Sequence, residues 1–216
     1  MALVFTGDEF GDGGMAIADA LQQANIKASF FLTGRFYRNK DFKRILRRLK
    51  DDGHYLGAHS NDHLLYNDWT KRDSLLVTKE QFVQDLQKNY EAMQQLGIAK
   101  KEAPFFLPPY EWYNDTIAAW TKEAGLQLIN MTPGTLSHAD YTTPDAKNYR
   151  SSDVIFNSIT TYEKQRGLNG FILLVHIGTD SKRTDKFYNQ LPQLLLYLKQ
   201  NGYEPVRIDQ LLATRP

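Results

Sequence analysis

The sequence predicts an α/β fold, a parallel sheet with helices packed outside it. Three observations carry this reading. Seven short apolar runs alternate with seven amphipathic stretches, turn and cap residues punctuate the boundaries, and polar clusters gather where the runs end. The expected strands are 2–6, 28–33, 55–58, 105–107, 126–130, 171–176 and 204–207. Between and after them the expected helices are 15–24, 41–51, 78–96, 114–123, 153–165, 186–201 and 208–212. The first run, "ALVFT", reads as a buried strand, as does the very apolar "FILLV" (171–175). In "FKRILRRLK" (42–50), Phe42, Ile45, Leu46 and Leu49 recur at helical spacing, which makes an amphipathic helix with a solvated basic face. Gly53, Gly97, Gly125 and Gly202 stand where C-terminal caps belong, and Asn114 and Ser152 where N-caps do. The longest irregular stretches, 61–74 and 131–151, both follow strands on the side where parallel α/β proteins build their sites. Seven such units suit a closed barrel or an open doubly wound sheet, and the pattern does not choose between them.

Composition narrows the class of function. A chain of 216 residues without internal repeat or linker reads as one domain, 1–216, with enough length to bury a sizeable core. Its 26 basic and 25 acidic residues leave a formal net charge of +1, which argues against nucleic acid as the main partner. No stretch is long enough to insert into a membrane. There is no cysteine, so disulfides, thiolate zinc sites and a cysteine nucleophile are excluded. A chain that opens directly on a core strand, with no signal peptide, suggests a piece cut from a longer protein with other domains.

The polar clusters are unusual in kind. "TGDEF" (6–10) ends the first strand with two adjacent acids, Asp8 and Glu9. "HSNDH" (59–63) follows the third strand and sets His59 and His63 four residues apart. "LPPYEWYND" (107–115) follows the fourth, and "HIGTD" (176–180) places a lone His176 at the end of the sixth. If the strands run parallel, these ends share one face. A carboxylate and two imidazoles converging there make a three-ligand site with open positions for water, the pattern of a catalytic metal.

On these residues the sequence resembles the polysaccharide deacetylase (NodB homology, carbohydrate esterase family 4) family over nearly its whole length. The family's T-F-D-D-G appears as "TGDEF", and "ADALQQANIKASFFLTG" (18–34) is similar to its first helix and second strand. Its H-[ST]-x-x-H is matched by His59, Ser60 and His63, its R-x-P-[YF] is approximated by Leu107–Tyr110, and its L-x-H is matched by Leu174 and His176. The resemblance implies a distorted (β/α) barrel of seven strands and a hydrolase that removes N- or O-acetyl groups from a poly- or oligosaccharide. It implies Asp8 as general base, Glu9, His59 and His63 as metal ligands, and His176 as general acid. Pro108, Pro109, Tyr110, Glu111, Trp112 and Leu174 would meet the substrate, with the Tyr110 N–H stabilising the oxyanion. The cofactor would be a divalent metal, Zn2+ first, with Co2+, Ni2+ or Fe2+ also suited to such ligands. The partner would be an acetylated carbohydrate, and the location secreted, periplasmic or cell-surface.

The chain departs from the family where chemistry is done. Glu9 replaces the metal-binding aspartate, Phe10 replaces the following glycine, and Leu107 stands where the family has the arginine that holds the base. The D-x-x-D-W element that supports the acid histidine has no clean counterpart; 131–141 corresponds to it, and Asp140, His138 and Asp180 are the candidates to serve His176. Trp112 and Tyr113 are suited to stacking on pyranose faces, although Trp112 would equally pack beneath its loop; Tyr66 and Trp69 carry the same ambiguity. Two other readings follow from these departures. One is a weak or inactive deacetylase-like module that binds metal and carbohydrate; the other is a hydrolase of non-sugar amides.

Overall fold

The computed structural model describes residues 1–213; residues 214–216 of the expected 1–216 domain lie outside the described residues. In chain order the elements are β1 (Ala2–Gly7), α1 (Gly14–Ala24), β2 (Ser29–Leu32), α2 (Gly34–Arg38), α3 (Lys43–Asp51) and β3 (Tyr55–Ala58). They continue with α4 (Lys79–Gln95), β4 (Phe105–Phe106), α5 (Asp115–Glu123), β5 (Gln127–Leu128), α6 (Ser152–Arg166), β6 (Ile172–His176), α7 (Leu191–Gln200) and α8 (Ile208–Leu211). Among the described residues six strands form one sheet in the order β5-β4-β3-β2-β1-β6. The β1–β6, β3–β4 and β4–β5 pairs are parallel, as intervening helices require.

The alternation read from the sequence is therefore present, with one strand fewer. Residues 204–207 form no strand: Val206 N–H reaches Met1 O at 3.0 Å, but Pro205 has no N–H to continue a ladder. Of the two expected N-caps, one is displaced by a residue. Asn114 Oδ1 accepts from Ile117 N–H as expected, whereas α6 is capped by Ser151, whose Oγ accepts from Val154 N–H. Ser152 is the first helical residue, and its N–H donates to Asp185. The basic helix starts later than 41, because a 3-10 turn at Lys40–Phe42 precedes it and Phe42 stacks on Phe36 with centroids 4.2 Å apart.

The chain divides into two compact units, one of residues 1–30, 48–55 and 131 onward, the other of 31–47 and 56–130. In the first, β1 is wholly buried and runs in register with β6, from Ala2 opposite Ile172 to Thr6 opposite His176. Helices α1, α6 and α7 turn Ile17, Leu21, Ile155, Ile159, Leu194 and Leu198 inward. Phe5 stacks on Phe30, and Phe30 meets the edge of the His54 ring. In the second unit the core is Phe31, Leu32, Phe36, Tyr66, Phe82, Leu86, Met93, Phe106 and Ile117. Tyr66 is fully buried against Phe82 and Phe106, so it belongs to packing, and burial pushes its hydroxyl pKa up. Helix α4 opens with a reciprocal cap: Gln81 N–H donates to Thr78 Oγ1 and Thr78 N–H to Gln81 Oε1. Among the described residues, no helix is long and apolar enough to cross a membrane.

Candidate active site

In the first unit, the parallel register sets the end of β1 beside the end of β6. Thr6 pairs with His176, so Asp8 and Glu9 lie just beyond the residue opposite the histidine. Asp8 is half-buried, while Glu9 and Phe10 are exposed. The loop 10–13 lies directly against the loop after β6. A Cβ on Gly178 would fall 2.5 Å from Gly11 N and 2.6 Å from Phe10 C, so only glycine allows this approach. Asp12 ties the same two loops together: its carboxylate accepts from Thr179 N–H, Tyr188 OH and Lys186 Nζ. Burial raises its pKa, but those donors outweigh it and hold the carboxyl below the usual range.

His176 is held twice by one side chain. Asp140, on the 3-10 turn Ser137–Tyr141, accepts the His176 N–H at 2.9 Å through Oδ2 and meets His176 Nδ1 at 2.6 Å through Oδ1. Asp140 is almost fully buried, and an ionised carboxylate only accepts, so the Nδ1 proton is on the ring and Nε2 is the nitrogen left to act. His138, two residues earlier, is pushed toward the neutral form, first by burial and then by His176. Asp180 closes its own turn, accepting from Lys182 N–H and Arg183 N–H, and is not the partner of His176. Arg183 is fully buried; its guanidinium donates to Thr142 O at 2.7 Å and Arg150 O at 3.0 Å and so pins the strand of chain that follows the Asp140 turn. Leu174 is wholly buried in β6 opposite Val4, on the same face of the strand as His176.

In the second unit, β3 delivers His59, which is 2% exposed. Its Nδ1 meets Leu107 O at 2.7 Å; a carbonyl only accepts, so Nδ1 carries the proton and Nε2 presents its lone pair. The loop after His59 is organised by Asp85 of α4, whose carboxylate accepts from Ser60 Oγ at 2.7 Å, Asn61 N–H at 2.8 Å and Asp62 N–H at 3.0 Å. Asn89, one turn on, accepts His59 N–H and donates to Leu32 O. Burial pushes Asp85 up despite these donors. Within this loop Ser60 and His63 adopt left-handed backbone, φ 71° and 54°, and the His59 and His63 imidazoles meet edge-on with centroids 5.0 Å apart. Tyr110 and Glu111 are also left-handed, φ 60° and 54°. Each such residue costs about 1–3 kcal/mol, and residues of this kind cluster where function over-determines the backbone.

Tyr110 lies edge-on against His63, centroids 4.4 Å apart, and against Trp69 at 5.4 Å. Trp69 also meets Trp112 at 5.7 Å, and the Arg72 guanidinium sits 4.3 Å over the Trp112 ring. Trp112 donates its indole N–H to Asp68 O, Asn130 Nδ2 holds Glu111 O, and Pro108 and Pro109 are buried. Trp112 therefore braces the loop, and Trp69 is the ring that faces outward.

Residues 8–129 match the polysaccharide deacetylase family. The chain belongs to that family. Over 199 residues, 92% of its length, it is 25% identical to the peptidoglycan-N-acetylglucosamine deacetylase of Bacillus cereus, and it spans 62% of that protein. Among solved structures it superposes on the peptidoglycan N-acetylglucosamine deacetylase Bc1960 with a TM-score of 0.77 at 22% identity, covering 99% of this chain and 88% of that one. BA3943 of Bacillus anthracis, described as a CE4 family pseudoenzyme, gives 0.72 at 20% identity, covering 98% and 64%. The fold is thus the (β/α) barrel type of the polysaccharide deacetylases.

For a family whose members are expected to hold a divalent ion, the imidazole pair is suitably prepared. A histidine that ligates a metal normally donates its other N–H to a carbonyl or carboxylate, as His59 does to Leu107 O. Two neighbouring imidazoles suit Zn2+ and its neighbours in the series. Among the described residues, no group of three or more His, Asp or Glu side chains is arranged to hold a metal. Three residues that the sequence reading left unassigned emerge from the structure. Asp85 and Asn89 are legible in retrospect as polar interruptions at the apolar face of α4 (Phe82, Leu86, Met93), and Arg183 left no signal at all.

Proposed function

We propose that the chain is a metal-dependent hydrolase that removes N- or O-acetyl groups from a poly- or oligosaccharide. The observation that carries this reading is the His176–Asp140 pair, a histidine whose Nδ1–H is held by a buried carboxylate at the end of a strand paired with the one that leads into Asp8. His59 and His63 would hold a divalent ion, with Glu9 as the carboxylate that the family resemblance assigns to it, and the ion would supply a Lewis acid for the acyl oxygen and acidify water. Asp8 takes a proton from the attacking water, and His176, acting as an imidazolium with Nδ1–H held by Asp140 and its second proton on Nε2, gives that Nε2 proton to the leaving nitrogen or oxygen; such acid–base steps are commonly worth about 10²–10⁴-fold. Asp140 is a positioning residue that keeps Nε2 turned to the reacting bond. The Tyr110 N–H stabilises the oxyanion, with about 3–4 kcal/mol as the scale for one such donor. Leu174, expected to meet the substrate, is wholly buried and instead packs beneath the strand end that carries His176, while Pro108, Pro109, Glu111 and Trp112 shape the loop that meets the sugar.

A second reading, a metal- and carbohydrate-binding module without turnover, is favoured by Leu107. It is fully buried where the family carries an arginine, so that position gives the base no charge partner. Acetate release separates the two. The protein is stripped with a chelator, reloaded with Zn2+ or Co2+, and assayed on N-acetylglucosamine oligomers and acetylated xylan. Metal-dependent release that His59→Ala or His63→Ala abolishes, together with metal binding, supports the hydrolase. Metal binding with no release on either substrate supports the module.

A further inference from the structure

We infer that Trp69 is the floor of a second sugar subsite, one that grips the pyranose next to the unit being deacetylated. The inference rests on the carbohydrate reading above and adds a residue that none of the family's motifs contains. Trp69 is 53% exposed and Tyr110 44%, an unusual degree for large aromatic rings that touch each other. They are not loose. The Trp69 loop is closed by Asp68, whose carboxylate accepts from Thr70 N–H, Thr70 Oγ1 and Lys71 N–H, and by a bridge between Asn67 and Leu75. From beneath, Trp112 backs Trp69 and is itself clamped by Arg72, which also donates to Tyr113 O at 2.7 Å.

A rigid, outward-facing indole whose ordering cost is already met in the free protein is what stacking on a sugar's C–H face requires. The rings also run in sequence: Trp69 touches Tyr110, Tyr110 touches His63, and His63 meets His59 edge-on. A ligand lying on Trp69 is thus led along aromatic surface toward the imidazoles. An extended chain of pyranoses fits that path, whereas a small acetyl ester would not reach Trp69.

The test compares wild type, Trp69→Ala and Trp69→Phe on N-acetylglucosamine tetramer and on 4-nitrophenyl acetate. Trp69→Ala is expected to raise KM for the tetramer about tenfold with kcat within about twofold, the scale of one aromatic contact. It leaves hydrolysis of the small ester unchanged, and Trp69→Phe restores most of the tetramer KM. An unchanged tetramer KM, or an equal loss on both substrates, overturns the inference. If wild type turns over neither substrate, calorimetric titration with the tetramer decides independently of the deacetylase reading. Weaker binding by Trp69→Ala upholds the subsite, and equal binding or none overturns it.

Discussion

Asp140 shows how one residue sets the chemistry of another. Its two oxygens take both the backbone and the ring N–H of His176, so the histidine can neither flip nor change tautomer without losing a bond. Asn at this position keeps the size but turns one acceptor into a donor that opposes Nδ1–H. Asp140→Asn is therefore expected to lower kcat about 10²-fold, with a thermal midpoint close to wild type; retention of full kcat would remove Asp140 from the positioning role. In the sequence, Asp140 was one of three candidates, because nothing local states which acid a remote histidine will meet. It is the sole acid in 131–144, a signal that becomes decisive only once β6 and the 3-10 turn are placed side by side. The histidines were easier to read, since their spacing follows a strand end, and that is where they stand.

At the scale of elements, α4 does more than cover the sheet. It presents Asp85 to a loop whose amides would otherwise be buried without acceptors, and that support is what permits left-handed backbone at Ser60 and His63. Asp85→Ala strands three donors and is expected to cost about 3 kcal/mol of stability in urea denaturation. In the same variant, Zn2+ affinity measured by chelator competition should fall about 10–100-fold, the usual effect of removing support from behind a ligand. If affinity holds while stability falls, the loop keeps its form without α4. The end of α4 was legible because Gly97, at φ 74°, follows it, while the Thr78–Gln81 cap at its start emerges from the structure. Residues 204–207, Glu-Pro-Val-Arg, misled because their place after a helix and a glycine fits the strand–helix rhythm, although Pro205 leaves the stretch one donor short for a ladder.

Taken whole, the molecule carries a built-in sensitivity to acid. His54 is buried, and its Nδ1 accepts the Ala28 N–H at 3.1 Å, so a second ring proton would have to break that bond. Burial, with Lys27 nearby, lowers its pKa from 6.5 to about 4. Between those values the unfolded chain binds the proton and the folded chain does not, so stability falls as pH drops from 6.5 toward 4. Thermal midpoints across that range should decline in wild type and decline less in His54→Leu; parallel curves would place the acid sensitivity elsewhere. The α/β alternation was legible in the sequence because apolar periodicity reports burial directly. Barrel and open sheet were not distinguishable that way, since strand order depends on pairings among distant residues. The Arg183 clamp has a practical consequence as well. By anchoring Thr142 O and Arg150 O it fixes both ends of the chain between them, while 144, 145, 147 and 148 stay exposed. That short arc is a natural place to insert an affinity tag or attach a fluorophore, reporting on the molecule without disturbing the turn that carries Asp140.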